Sequence, residues 1–457
     1  MKKIFSILII IAICLSLTSC NFNITSIESL MRPPKLSGES SLLQKAFEES
    51  VADRDGVIMK TPINGENRSS YLFYDIEKDG TQEAIVFFSE PLKDVYACAS
   101  IFKFVNNEWK YVSQIKGKGE EIYEVNFADI NGDGVSEILL SWSGIGAQEK
   151  INVSDFGAGN NRFLAIYSYD GITTTLLKTE TYTNLYLEDL NDDRFDEIIL
   201  FKINLNDNEK RTTAMILGFN DDYTVKFDQL LTLTGFLEIG NIVTDSVEQN
   251  NKKHTRIYVD GAVSEIGVIT EIIDIEHETF EIVLPLYAQN QSVQPPTLRD
   301  SRVYSQDMDN DGIVEIPTIE VLPNGARILE ETSERKDLNL TVWSEFTNNE
   351  IIVDFKCLLN STYGYYFIFP DDVKNKITAI YDDNNLTLTF YTINETGTYN
   401  SDLFSVKIFF EPDWEENNYK YIKFNENNMY VYGYMILDDT DGMEYVDFIN
   451  ENFKIIN

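Results

Sequence analysis

The chain is poor in the residues that most enzymes and nucleic-acid-binding proteins rely on: its 457 residues include two histidines, four cysteines and only 37 basic residues against 75 acidic ones. Each shortage excludes something. His254 sits in Asn250-Asn251-Lys252-Lys253-His254 and His277 in Glu276-His277-Glu278, both read as polar surface segments rather than the setting of a general base. No GxSxG, HExxH or phosphate-cradling glycine loop is present, so the common hydrolase and nucleotide chemistries lack their residues. Cys98 and Cys357 lie inside apolar strand-like runs and read as buried thiols, the alternative being a single bridge between the first and last repeats, and no CxxC or Cys/His cluster is there to hold zinc. A net charge of −38 argues against a nucleic-acid partner, because phosphate must be neutralised by basic groups. Beyond the N-terminus no run of about 18 apolar residues exists to span a bilayer.

What is present begins with an address. Lys2 and Lys3 precede an apolar run from Ile4 to Leu17, the order of an export signal and too short for a comfortable membrane span. The run ends Leu17-Thr18-Ser19-Cys20, which resembles the bacterial lipobox. That resemblance implies removal of residues 1–19, a diacylglycerol on the Cys20 thiol, and a protein lipid-anchored to the membrane on its extracytoplasmic side. Residues 20–60 then read as a tether, polar from Asn21 to Leu36 and stiffened by Arg32-Pro33-Pro34, followed by a short helix. Ser37 or Ser40 would cap the helix, Leu42, Leu43, Ala46 and Phe47 form its apolar stripe, and Asp53-Arg54-Asp55-Gly56 ends it.

From Ser70 onward, short β-branched and aromatic runs alternate with Asn, Asp and Gly, which predicts an all-β protein. Strands are expected at Tyr71 to Tyr74, Glu83 to Phe88, Val95 to Phe104 and Trp109 to Ile115, and the next two units repeat this four-strand pattern. Before each of the first three acidic segments described below, residues at alternate positions are apolar (Tyr71 and Phe73, Val125 and Phe127, Leu185 and Leu187), so one strand face is expected to be buried. Four strands per unit of about 60 residues predict a β-propeller. Residues 61–359 hold five such blades, or six if a short unit lies near 280. The fourth, around Phe236 to Asp260, has lost its acidic loop: Gly240, Asn241, Thr244 and Asp245 do not keep the spacing, and packing alone is expected to hold it. Residues 360–457 read as a small α+β domain, with strands at Ile377 to Tyr381, Leu386 to Tyr391, Leu403 to Phe410 and Tyr430 to Met435. A closing helix from Met443 to Ile455 would carry Met443, Val446, Ile449 and Phe453 on one face.

The chemistry lies in four copies of one acidic loop. In Asp129-Ile130-Asn131-Gly132-Asp133-Gly134-Val135-Ser136-Glu137, oxygens at positions 1, 3, 5 and 9, with the position 7 carbonyl of Val135, converge as calcium requires, and Gly134 permits the turn. The other copies are Asp75, Glu77, Asp79, Thr81 and Glu83; Asp189, Asn191, Asp193, Phe195 and Glu197; and Asp307, Asp309, Asp311, Ile313 and Glu315. Arg194 stands where Gly is expected, which weakens the third copy. Recurrence of Glu at position 9 favours a metal over a plain solvated turn. An EF-hand is excluded, because position 12 is Val86, Leu140, Leu200 or Thr318 in a strand rather than a helical Glu.

These segments resemble the FG-GAP or VCBS-type repeat of integrin α-subunit propellers and bacterial surface proteins, from Tyr71 to about Ile319, and the whole chain is similar to propeller lipoproteins of low-GC Gram-positive bacteria. The resemblance implies calcium in the loops and no particular reaction. The expected role is a calcium-stabilised propeller that binds an extracellular protein or glycan. The rival roles are a carbohydrate-active or other hydrolytic enzyme built on the propeller, and a structural envelope subunit.

Overall fold

The computed structural model describes residues 39–92, 94–144, 162–205, 211–284, 295–322, 338–373, 376–394, 399–417, 420–438 and 442–456. The export signal, Cys20 and the tether to Leu36, with Ser37, lie outside the described residues.

Antiparallel sheets follow one another along the chain. The first contains Ile58–Met59, Tyr71–Tyr74, Glu83–Glu90, Asp94–Val105 and Glu108–Lys116, its two shortest strands lying along the same edge of Glu83–Glu90. The second is Glu121–Ala128, Glu137–Ser143, Arg162–Tyr169 and Thr174–Tyr182; the third is Asn184–Glu188, Glu197–Asn204, Arg211–Phe219 and Val225–Leu233. Both are up-and-down meanders, as is the fourth: Glu238–Gln249, Lys252–Ala262, Val268–Glu276 and Ile282–Val283. A fifth joins Glu315–Val321, Asn339–Thr347, Glu350–Asn360, Tyr365–Ile368 and the terminal Phe453–Ile455, and a sixth spans Ile377–Asp382 to Tyr430–Ile436. The fold is therefore all-β, with few helices.

Each sheet packs face to face on the next in chain order. Ile85 and Phe87 of the first meet Ile138, Leu140 and Trp142 of the second; Leu139 and Leu164 of the second meet Ile198 and Leu217 of the third. Phe201 and Ile216 then meet Ile257 and Ile273, and Tyr258 and Ile272 meet Val314, Ile316 and Phe346. Strand alternation explains this: a four-stranded sheet presents two apolar faces, and each must find a partner. Leu72 and Tyr74 accordingly face the second sheet while Tyr71 and Phe73 face the opposite side, so the first strand has both faces covered rather than one. That opposite side is capped by helix α1, Glu39–Ser50, which inserts Leu43 and Phe47, with Val51 just past its end, against Phe88, Cys98 and Phe102. Leu42 is exposed, so the helical stripe is narrower than its sequence suggests. Among the described residues no closed ring of sheets is found.

Backbone bonds stitch the loops together. The position 8 amide of Ser136 donates to Ile76 O at 2.8 Å, and the equivalent amide of Asp196 donates to Asp129 O at 3.3 Å.

Three expectations require correction. His254 lies in a strand, not a loop, because Asn250 and Asn251, with φ of 54° and 61°, form a tight two-residue hairpin turn. Its Nδ1 lies 2.8 Å from Asp274 Oδ1, and His277 Nε2 lies 2.9 Å from Thr255 Oγ1. The fourth sheet is held by more than packing: the fully buried Arg299–Asp260 pair at 2.7 Å is completed by Thr270, Ser305 and Asn241. The closing helix, Gly442–Asn452, stops earlier than expected, because Phe453–Ile455 pairs with Tyr365–Phe367. Residues 360–457 also share one core with the fifth sheet, Leu340 and Leu358 packing with Phe367, Phe390 and Phe404. Cys98 and Cys357 are both buried and are not bonded to each other.

Candidate metal centre

All four acidic loops share one hydrogen-bonded frame. The first Asp accepts through Oδ2 from the position 6 amide, at 2.9 Å from Gly80, 3.0 Å from Gly134, 2.7 Å from Arg194 and 3.0 Å from Gly312. The Asp at position 5 accepts from the amide of Thr81, Val135, Phe195 or Ile313 at 2.8 to 3.0 Å. Positions 4 and 6 are left-handed in every copy, Arg194 among them at φ 75°. The position 9 glutamates are buried, and each accepts through Oε2 from the position 2 amide of Ile76, Ile130, Leu190 or Met308 at 2.7 to 3.1 Å. A turn of this shape needs an acid at position 9 to satisfy a buried amide, so recurrence of that Glu does not by itself require a metal.

What separates the loops is the other oxygen, Oε1. In the second loop Tyr223, from the Asn220–Thr224 turn of the third sheet, donates its hydroxyl to Glu137 Oε1 at 3.0 Å and to Asp133 Oδ2 at 3.2 Å. The Asn131 amide group also donates to Asp133 and to Asp221 O. In the third loop Asn191 Nδ2 donates to Glu197 Oε1 at 3.3 Å, and Lys226 Nζ lies 3.3 Å from Asp193. Both loops are satisfied by protein groups and fit a metal poorly. In the first loop Glu83 Oε1 is buried without a partner, but Lys103 draws the carboxylate of Glu77 to itself.

Only the fourth loop combines both requirements. Glu315 is fully buried and its Oε1 has no hydrogen-bond partner, which is costly unless a cation faces it. Ligand oxygens of Asp307, Asp309, Asp311 and Glu315 all lie within 4.8 Å of one another. Among the described residues none of the four is paired with a basic side chain. These oxygens, all hard donors, could hold a metal ion. A second group overlaps the first: Glu315, Glu345 and Asp354 also bring oxygens within 4.8 Å.

The electrostatics agree. Burial, and then the Asp309, Asp307 and Asp311 carboxylates, push Glu315 up to about 8. Burial likewise lifts Glu197 to about 8 and Glu83 and Glu137 to about 7, and raises Asp309. A cation would favour the charged forms and reverse each shift.

Beside the first loop is a cleft of about 500 Å³ lined by Phe73, Phe104 and Trp109, with Asp75, Gly80, Thr81 and Gln82 on its polar side. Trp109 packs on both phenylalanines, with ring centroids 5.7 Å and 5.1 Å away.

Sequence reasoning missed Tyr223, Lys103, Lys226, Glu345 and Asp354. Each reaches a loop from a strand or turn outside it, so no local pattern marks it. The buried apolar residue at position 2 (Ile76, Ile130, Leu190 or Met308) was a visible signal.

No family model matches the chain, and no curated protein matches it. Among solved structures, a hypothetical protein from Leishmania major is 12% identical, with 60% of this chain and 88% of that one covered, at a TM-score of 0.21. A levansucrase mutant from B. megaterium is 9% identical, covering 71% of this chain and 94% of its own, at a TM-score of 0.24. Neither likeness carries an argument about this chain.

Proposed function

We propose that the chain is a lipid-anchored, extracytoplasmic recognition module of the VCBS/FG-GAP type, whose stacked sheets are propeller blades and whose fourth loop binds calcium. The observation that carries the calcium reading is the convergence of Asp307, Asp309, Asp311 and Glu315 around an unpartnered buried oxygen. Oxygen-only ligands on a loop of this order suit calcium, which accepts six to eight of them. Bound there, the ion supplies the positive charge that four carboxylates lack, and the Met308 amide and the strand beginning at Glu315 hold its ligands in place. The blade reading rests on the succession of four-stranded meanders, and the anchor on Cys20. Recognition of a protein or glycan is supported by the cleft at Phe73, Phe104 and Trp109, since aromatic walls with a few polar groups characterise ligand sites.

The test is a thermal melt of the chain from Asn21 onward, in EDTA and across a calcium titration. At ten times a dissociation constant of about 10⁻⁴ to 10⁻³ M, one site stabilises the fold by roughly 1.4 kcal/mol. Asp311→Ala should abolish most of the calcium-dependent rise and Asp133→Ala should keep it. A flat calcium response in the unaltered chain would sink the reading. Binding to a glycan array that Phe104→Ala weakens would place the partner in the cleft.

A further inference from the structure

The fifth sheet contains an arrangement that the loop alone does not explain. Glu315 and Glu345 are direct partners on adjacent antiparallel strands. Like charges so placed repel, and a half-buried site strengthens the repulsion. On the next strand the pairing skips a residue: Trp343 pairs with Phe355 and Ser344 with Val353, which leaves Asp354 as the extra residue of a β-bulge. Bulges re-aim side chains, and this one brings the Asp354 carboxylate within 4.8 Å of those of Glu315 and Glu345. Glu345 and Asp354 make no hydrogen bond or ion pair with a basic side chain among the described residues, and the Arg256 charge that eases Glu345 from a distance is outweighed by burial and by Asp354, Asp311 and Asp309. The nearby Arg256 is engaged with Gln249 at 3.1 Å and stacks over Phe346.

We infer that Glu345 and Asp354 form a second divalent-cation site beside the fourth loop, with Glu315 bridging the two ions. The sign of a ligand is Glu315 Oε1, fully buried and without a partner, the same oxygen that faces the loop and on the one side chain common to both carboxylate groups. The class of ligand is a hard divalent cation, because every donor is a carboxylate oxygen. A two-ion site fixes three strands and the loop in one cluster, pinning the bulge to the acidic loop. The inference rests on the calcium reading of the fourth loop, with which it shares the Glu315 carboxylate.

Calcium stoichiometry, counted by native mass spectrometry and isothermal titration on the protein and two double variants, tests it. Glu345→Gln with Asp354→Asn should bind one ion fewer than the unaltered protein, while Asp309→Asn with Asp311→Asn removes the loop ion. The first pair of substitutions also relieves repulsion, so that variant should melt higher than the unaltered protein in EDTA and lower in saturating calcium. This reversal cannot come from misfolding. Equal stoichiometry and affinity in the unaltered protein and the Glu345→Gln, Asp354→Asn variant would overturn the second site. If the Asp309→Asn, Asp311→Asn variant still loses an ion in that case, the loop reading stands; if neither variant loses one, both readings fail.

Discussion

Asp245 Oδ2 accepts the amide of Val314 at 3.0 Å, so a side chain of the fourth sheet performs for the last acidic loop what a backbone carbonyl performs for the two before it. Ile76 O and Asp129 O hold the position 8 amides of the second and third loops; the fourth sheet has no acidic loop to offer such a carbonyl, and Asp245 supplies the acceptor instead. The same oxygen also receives the Tyr258 hydroxyl at 2.9 Å.

Asp245→Ala strands both donors in a buried setting. At about 1 to 3 kcal/mol for each unsatisfied group, partly relieved by water, the expected loss is roughly 2 to 4 kcal/mol. Urea unfolding measures it, and a loss below about 1 kcal/mol would show that the stitch contributes little.

Tyr223→Phe removes the hydroxyl that bridges Asp133 and Glu137. In EDTA the variant should lose about 1 to 2 kcal/mol, because Glu137 Oε1 is left without its donor. A calcium response that appears at the second loop only in this variant would show that the hydroxyl occupies the cation's place.

Arg194→Gly relieves a left-handed non-glycine residue, which costs roughly 1 to 2 kcal/mol, and restores some freedom to the unfolded chain, which offsets about 0.5 to 1 kcal/mol of the gain. A net rise of up to about 1 kcal/mol in stability is expected from chemical denaturation, and no gain would mean that the frame holds Arg194 without strain.

Stability without metal should fall as pH rises from about 5 to 8. Glu83 and Glu137 at about 7, and Glu197 and Glu315 at about 8, lie above the ordinary value of 4.5, so in this window the native state binds more protons than the unfolded one. The slope of unfolding free energy with pH is then negative. Calcium, which at the fourth loop competes with the Glu315 proton, should stabilise most at pH 8 and least near pH 5. Melting curves in EDTA that rise with pH across this range would contradict the assignment.

Much of the fold was legible because a strand's pattern is local. The four strands of the first unit lie within two residues of their predicted ends, since alternation and Asn/Gly punctuation act over a few residues. The Asn250-Asn251 turn was misread as part of a loop because two consecutive left-handed asparagines look like any polar segment until their dihedrals are known. The helix at the C-terminus was overextended for a different reason: Phe453 suits a helical face, but the open edge of Tyr365–Ile368 claims it as a strand.

The sequence by itself determined the chemistry available in each loop, because the ligand types, their order and the turn they make all lie within nine residues. It also determined the succession of strands. Which loops keep an unpartnered oxygen, and which of those is free of a competing basic side chain, was decided by the tertiary structure alone. Tyr223 satisfies the second loop from outside it and Lys103 and Lys226 pair with one carboxylate each of the first and third, while Glu345 and Asp354 add charge to the fourth, and a residue's effect on a carboxylate depends on ångströms in space rather than on position along the chain.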